Sequence, residues 1–190
     1  DQSDVIAADG LLNGTSYYVQ DLQKVDFVVV AARENDTIKL YALELSTEGV
    51  QLDFDRIVDV TRDQGRITFN NVAAECISED GAAALQAALP ATLTLVAADI
   101  AGASEWLLQA TAEYAQIRTQ FERPIGFFQA VKHPVVNMMI LADQPRSLVY
   151  AAACAYDTAP ATAHRAAHLA KSSASDTAEF CANRATQLHG

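Results

Sequence analysis

The segment from Arg118 to His133, RTQFERPIGFFQAVKH, concentrates groups that could grip a ligand. Arg118 stays charged at any working pH and offers forked donors to phosphate oxygens. Gln120 and Gln129 add amide donors, and Phe121, Phe127 and Phe128 add flat apolar faces. Together they suit a ligand that joins a charged phosphate to a flat aromatic. Singly they suit plainer roles: the three Phe could be core, and Arg118 a cation set against a helix C-terminus. Two other groups of residues could do chemistry by type. His164 and His168 stand i, i+4 and could share a helix face, but no acid or Cys beside them completes a ligand set, so no metal site is expected. Cys76, Cys154 and Cys181 lie far apart without a CxxC pattern and read as reduced, partly buried thiols.

The elements that must position these groups change character along the chain. Residues 1–77 read as strands. An Asn-Gly pair at Asn13-Gly14 suggests a hairpin turn, and DFVVVAA (26–32) is β-branched as a buried strand would be. IKLYALEL returns antiparallel after the turn RENDT, and VQLDF, IVDV and GRITFNNV add short strands. This spacing predicts a small antiparallel sandwich or barrel. From Ser78 the period becomes helical. SEDGAAALQAAL opens with an N-cap and an acidic first turn and is expected to stop at Pro90. Leu93, Val96, Ile100, Leu107, Leu108, Thr111, Tyr114 and Ala115 form an i, i+3, i+4 stripe, predicting a helix from about Ala91 to Arg118. Asp99 and Glu113 fall off that stripe and read as solvated charges. Further helices are expected from Phe128 to Asp157, bent at Pro145, and from Pro160 to Leu188. Short connections and abundant Ala predict an antiparallel bundle over 78–190. The fold class is therefore α+β.

The totals narrow the partners. The chain has 190 residues, 51% of them apolar, and a net charge of −11. With no basic cluster, nucleic acid and anionic membranes are poor partners. No apolar run approaches the length expected of a bilayer span. The N-terminus lacks the basic and apolar regions of a signal peptide, so a cytoplasmic location is expected.

The string RTQFERPIGFFQAVKH, with TAEYAQ before it and QLHG at the C-terminus, resembles the acyl-CoA dehydrogenases. That family typically shows Arg-x-x-Phe-Gly, Pro-Ile-Gly, Phe-Gln and a later Gln-x-x-Gly-Gly. LLNGTSYYVQDLQKVDFVVVAAR and DQGRITFNNVAAE look like its middle β-domain, so the resemblance covers nearly the whole chain. It implies FAD as cofactor, an acyl-CoA substrate, an electron-transferring flavoprotein as acceptor, and a dimer or dimer of dimers. The family adds a helical domain before this region and a fourth long helix after it, so the chain reads as a fragment or as one whose flanks are missing. Arg118, Thr119 and Gln120 would meet the pyrophosphate region of a partner's FAD, Phe121 would be a further cofactor-binding residue, and Phe128 and Gln129 would contact the cofactor from the next helix start. Gln187, Leu188, His189 and Gly190 would lie along its adenosine half. Tyr18, Val19 and Gln20 would face the flavin ring of the chain's own site.

The departures from the family pattern concern catalysis. The resemblance implies that a carboxylate removes the α-proton of the thioester while the β-hydrogen leaves as hydride. The usual Glu lies beyond Gly190. The position used by some members falls at Thr92, with Leu93 where an Arg is common, and Thr cannot act as that base. No catalytic residue is therefore assigned to this chain. Gln20 stands where a Ser or Thr hydroxyl is common, and Glu122 replaces the Gly after Phe121. Some actinobacterial members that handle steroid side chains work as α2β2 heterotetramers, in which one subunit can lose its own site and still complete its partner's. The chain is thus similar either to a self-sufficient dehydrogenase or to such a silent partner.

Overall fold

The computed structural model describes residues 4–190. Seven strands come first: β1 (Val5–Ala8), β2 (Leu11–Gln20), β3 (Phe27–Glu34), β4 (Thr37–Glu44), β5 (Val50–Phe54), β6 (Gln64–Ala73) and β7 (Glu75–Ser78). Three long helices follow: α1 (Gly81–Ile117), α2 (Gln129–Thr158) and α3 (Pro160–His189), with a short ribbon, β8 (Thr119–Gln120) and β9 (Arg123–Pro124), between α1 and α2. Residues up to Gln86 form one compact unit and those from Ala87 a second. The class is α+β, a sheet followed by a helical bundle.

The sheet runs in the order β5-β6-β2-β1-β3-β4-β7. Its pairs are antiparallel except β1 with β3, which meet in parallel through Ile6 and Arg33. The expected all-antiparallel pairing is corrected there: β1 is already joined to β2, and β3 adds along its other edge. Alternation explains the core. Gly65, Ile67 and Phe69 of β6 point inward, and they pack with Val5, Leu12 and Leu22. Burying each large apolar side chain is worth about 1.5–3 kcal/mol.

Asn13-Gly14 is not the hairpin turn. The β1–β2 turn is Asp9-Gly10, with φ of 51° and 76° and Ala8 facing Leu11. Asn13-Gly14 sits inside β2 at a register shift against β6. There Asn13 Oδ1 accepts the Asn71 N–H at 2.9 Å, and Asn13 Nδ2 donates to Asn71 Oδ1 at 3.1 Å. Two strand expectations also change. IVDV forms no strand, leaving Val58 and Val60 exposed, and AECIS supplies an unforeseen one, β7, on the β4 edge.

Pro90 does not stop the first helix. The ring is buried, and the helix continues through it to Ile117. A proline removes one helical hydrogen bond, but the flanking Ala and Leu favour helix strongly. Thr94 Oγ1 donates to the Pro90 carbonyl at 2.7 Å. The N-terminus is capped by Asp80, whose Oδ1 accepts the Ala83 N–H at 2.9 Å. Run unbroken, α1 is long and apolar enough to cross a membrane by length and composition, which corrects the expectation from the sequence. Along it Ala97, Ala101 and Ala115 are buried, while Leu95, Trp106 and Ile117 are exposed.

The helices meet through small side chains. Ala97 of α1, Ala152 of α2, and Ala170 and Ala174 of α3 form one buried cluster. Met138, Cys181 and Ala185 form another, with Leu107, Leu108 and Phe180 against it. Thr177 Oγ1 donates to the Leu141 carbonyl at 3.2 Å, tying α3 to α2. Burial pushes the Cys181 thiol upward from its ordinary pKa.

In the strand unit, Lys39 of β4 pairs with Glu34 and with Glu79. Hydrogen bonds to Glu34 first, and Glu79 second, hold Lys39 protonated well above its usual 10.5. The Lys39 bond in turn holds Glu79 below its usual 4.5. The Glu79 contribution to stability is therefore present above 4.5 and is lost as pH falls through its lower folded value. The Lys39 contribution is present below 10.5 and is lost only as pH rises through its higher folded value. Urea midpoints followed against pH should fall on the acid side in the parent, and fall less in Lys39→Met; equal acid slopes would contradict the pairing. A second expectation concerns Gly14, where φ is +128° and an added Cβ would lie 2.1 Å from the Asp4 carbonyl oxygen. Gly14→Ala should destabilise by at least about 2 kcal/mol in urea unfolding, and an unchanged midpoint would refute the bulge geometry.

Candidate functional site

α1 ends where the Arg118 N–H donates to the Tyr114 carbonyl at 2.9 Å. The chain then makes the β8–β9 ribbon, pairing Thr119 with Pro124 and Gln120 with Arg123. The chain therefore reverses at the ribbon tip. Phe121 and Glu122 form the tip with φ of 53° and 63°. Such left-handed pairs normally use Asn-Gly, and a bulky Phe there is a strained choice. Phe121 is 85% exposed, so burial does not account for it.

The ribbon is closed at its base. The Ile125 N–H donates to the Arg118 carbonyl at 2.8 Å, and Ile125–Phe127 forms a 3-10 turn. Gly126 permits this because a Cβ would sit 2.9 Å from the Ala115 carbonyl oxygen. Phe128 is the N-cap residue of α2 and stands between two rings, Phe121 at 6.0 Å and Phe127 at 5.7 Å, both edge-on. The Arg123 guanidinium lies 4.4 Å from the centre of the Phe127 ring, and the Lys132 ammonium 5.7 Å.

The end of α3 reaches the same place. His189 stacks on Tyr114 with centroids 4.2 Å apart and planes at 16°. Tyr114 is one turn before Arg118, so Gln187, Leu188, His189 and Gly190 stand beside the end of α1. The Met138, Cys181 and Ala185 cluster supports these helix ends from within. Arg118, Thr119, Gln120, Gln129, Gln187 and His189 are exposed, while Phe128 and Leu188 are half-buried. The fold thus brings the ribbon, the start of α2 and the end of α3 to one end of the bundle, while Thr92, Leu93, His164 and His168 lie away from it. Guanidinium, amide and hydroxyl donors beside an exposed ring can hold a phosphate and a flat aromatic together.

Tyr18, Val19 and Gln20 form a separate group in the strand unit. Tyr18 has a φ of 58° at a register shift between Ser16 and Val19, and it is exposed beside Tyr17. Gln20 Nε2 donates to Gln64 Oε1 at 3.1 Å, and Gln64 Nε2 donates to Asp55 Oδ2 at 3.0 Å. Thr92 Oγ1 donates to the Ala88 carbonyl of its own helix at 3.1 Å, and Leu93 beside it is half-buried. His164 and His168 are both exposed on α3.

Residue-by-residue reading missed three contributors: Tyr114, Arg123 and Lys132. Tyr114 sat on the apolar stripe and passed for core. The spacing of Arg123 and Lys132, four before and five after Phe127, was the available signal for a shared ring.

A family model described as acyl-CoA dehydrogenase, C-terminal domain, matches residues 79–190. The acyl-CoA dehydrogenase IpdE2 of Mycobacterium tuberculosis is 45% identical over 97 residues, which is 50% of this chain and 28% of that protein. The short-chain specific acyl-CoA dehydrogenase of Megasphaera elsdenii is 29% identical over 196 residues, 94% of this chain and 50% of that protein. Among solved structures, a variant of the Tcur3481-Tcur3483 steroid ACAD superposes with a TM-score of 0.86 at 26% identity, covering 98% of this chain and 51% of that one. The chain spans about half the length of these relatives or less.

The Tyr114–His189 stack should hold the end of α3 in place. An aromatic pair is worth about 0.5–1.5 kcal/mol beyond its area. Tyr114→Ala should speed amide exchange over residues 185–189 while leaving that of β1–β7 unchanged. Equal protection in both proteins would mean the stack does not anchor the helix end.

Proposed function

The chain belongs to the acyl-CoA dehydrogenase family, and on that premise we propose that it is a subunit of an FAD-dependent enzyme that desaturates an acyl-CoA thioester at its α,β bond. The observation that carries this reading is the meeting of Arg118, Phe128, Gln129 and the Gln187–Gly190 segment at one end of the bundle. The donor set fits FAD: a forked cation for the pyrophosphate, amides for its remaining oxygens, and rings for its flat parts. When bound, FAD supplies the hydride acceptor. Arg118, Thr119 and Gln120 would hold the phosphates, Phe121 and Phe128 would exclude water, and Gln129 would orient the cofactor from the start of α2. Gln187, Leu188, His189 and Gly190 would bind the adenosine half, with Gly190 allowing close backbone approach. Tyr18, Val19 and Gln20 would line the flavin side of the chain's own site.

This cofactor site requires a second subunit, so we assign a dimer or dimer of dimers, in the cytoplasm, with an electron-transferring flavoprotein as acceptor. A charged hydrogen bond to phosphate is worth about 1.5–3 kcal/mol. Arg118→Ala should therefore weaken FAD retention by roughly 10- to 150-fold on equilibrium dialysis. Unchanged flavin occupancy would contradict the assignment.

A second reading is that this chain is the silent half of an α2β2 enzyme and completes its partner's cofactor site. Two observations favour it. Thr92 spends its hydroxyl on its own helix where some relatives place a base, and the amide of Gln20 is engaged by Gln64. The neighbour named as a steroid ACAD suggests a steroid side chain as the acyl group in that case. Substituting each carboxylate of this chain in turn should then leave turnover of the complex within about threefold. One carboxylate whose loss abolishes turnover would remove this reading.

A further inference from the structure

We propose that the bundle carries a second, smaller ligand site, which binds an amphipathic monoanion: a short apolar chain ending in a carboxylate. The site is a pocket of about 250 Å³ between the end of α1 and the start of α2. Ala112 and Ala115 wall it from α1, Val131, Val135 and Val136 from α2, and Gly126 from the turn between them. Gln116 and Lys132 also line it; the Gln116 amide donates to the Ala112 carbonyl at 3.1 Å, and Lys132 brings the positive charge to walls that are otherwise apolar.

That charge is not alone. The Lys132 ammonium and the Arg123 guanidinium both lie against the Phe127 ring, at 5.7 and 4.4 Å. Among the described residues no carboxylate forms an ion pair with either, although Arg146, Arg66, Lys39 and Lys24 all have one. In a chain of net charge −11, two unpaired cations held on one ring are a local anion attractor. An apolar pocket with a few convergent polar groups is the ordinary form of a small-molecule site.

The chemistry selects the occupant. An anion would be drawn by Lys132 and by Arg123 on the same ring, a neutral chain would not, and a cationic one would be repelled. A polyphosphate would find too few donors, since Lys132 and Gln116 are the polar side chains among the lining residues. The volume holds about eight water-sized groups, which suits a chain of about that many heavy atoms. Hexanoate has this size and charge.

The test is a titration of the full chain with hexanoate, hexanol and hexylamine, followed by amide chemical shifts. Hexanoate should give saturable shifts confined to residues 112–136, with hexanol at least about tenfold weaker, because a charged hydrogen bond is lost. Lys132→Met should weaken hexanoate by about tenfold, and Val135→Trp should fill the pocket and abolish binding. Lys132 is exposed, so its variant decides the matter if the Val135 variant fails to fold. Hexanol binding as tightly as hexanoate, shifts that never saturate, or an unchanged Kd in Lys132→Met would each overturn the proposal.

Discussion

Close approach of the helices through small side chains is the constraint on which the rest depends. Ala97 of α1, Ala152 of α2, and Ala170 and Ala174 of α3 are buried together, with the closest approach between α2 and α3. Small contacts permit axial separations toward the lower end of about 8–10 Å. The chain path then does the positioning. With α2 antiparallel to its neighbours, the end of α1, the start of α2 and the end of α3 fall on one side. Side chains far apart in sequence, Tyr114 and His189 among them, become neighbours because alanines far from both allow the packing. The cost is a weak apolar payload per residue, since Ala buries little surface. Met138, Leu107, Leu108 and Phe180 compensate near the site end.

Local strain marks both candidate regions. Phe121 and Glu122 hold left-handed backbone at the ribbon tip, and Tyr18 does so at a bulge in β2. Neither place gains burial in exchange, for Phe121 and Tyr18 are among the exposed large side chains. Strain without burial is hard to explain by folding alone, and it is common where a side chain must be aimed at a ligand. Glu122 is the unusual member. Its carboxylate stands next to Arg123 in the ribbon and uses a conformation that Gly would adopt freely, so its presence reflects something other than backbone economy.

The sequence showed the change from strand to helix near residue 78, because the period of apolar residues changes there from short runs to i, i+3, i+4. Long periodic elements were the most legible: α2 and α3 begin and end within a residue or so of expectation, and Pro160 marks the start of α3. Pro90 misled because a proline costs one hydrogen bond but cannot outweigh ten or more flanking helix formers packed against other helices. Asn13-Gly14 misled because the same backbone freedom that makes a turn also makes a bulge, and only pairing with Asn71 distinguishes them. The two-residue strands of the ribbon were too short to show any period. At the candidate site, residue types pointed to phosphate and aromatic binding, but the nearness of His189 to Tyr114 is a tertiary fact. No local pattern carries it; family resemblance supplied the expectation, and helix packing supplies the means.

The central claim is that this bundle end completes a flavin site together with another chain. The most direct measurement is the ratio of FAD to this chain in the purified protein, expressed alone and then with a homologous subunit. A value near one FAD per chain alone, or one FAD per pair of chains only in the mixed complex, is the expected result. The first would mark a self-sufficient oligomer and the second a helper subunit. No bound flavin in either preparation, with the bundle intact, would contradict the claim.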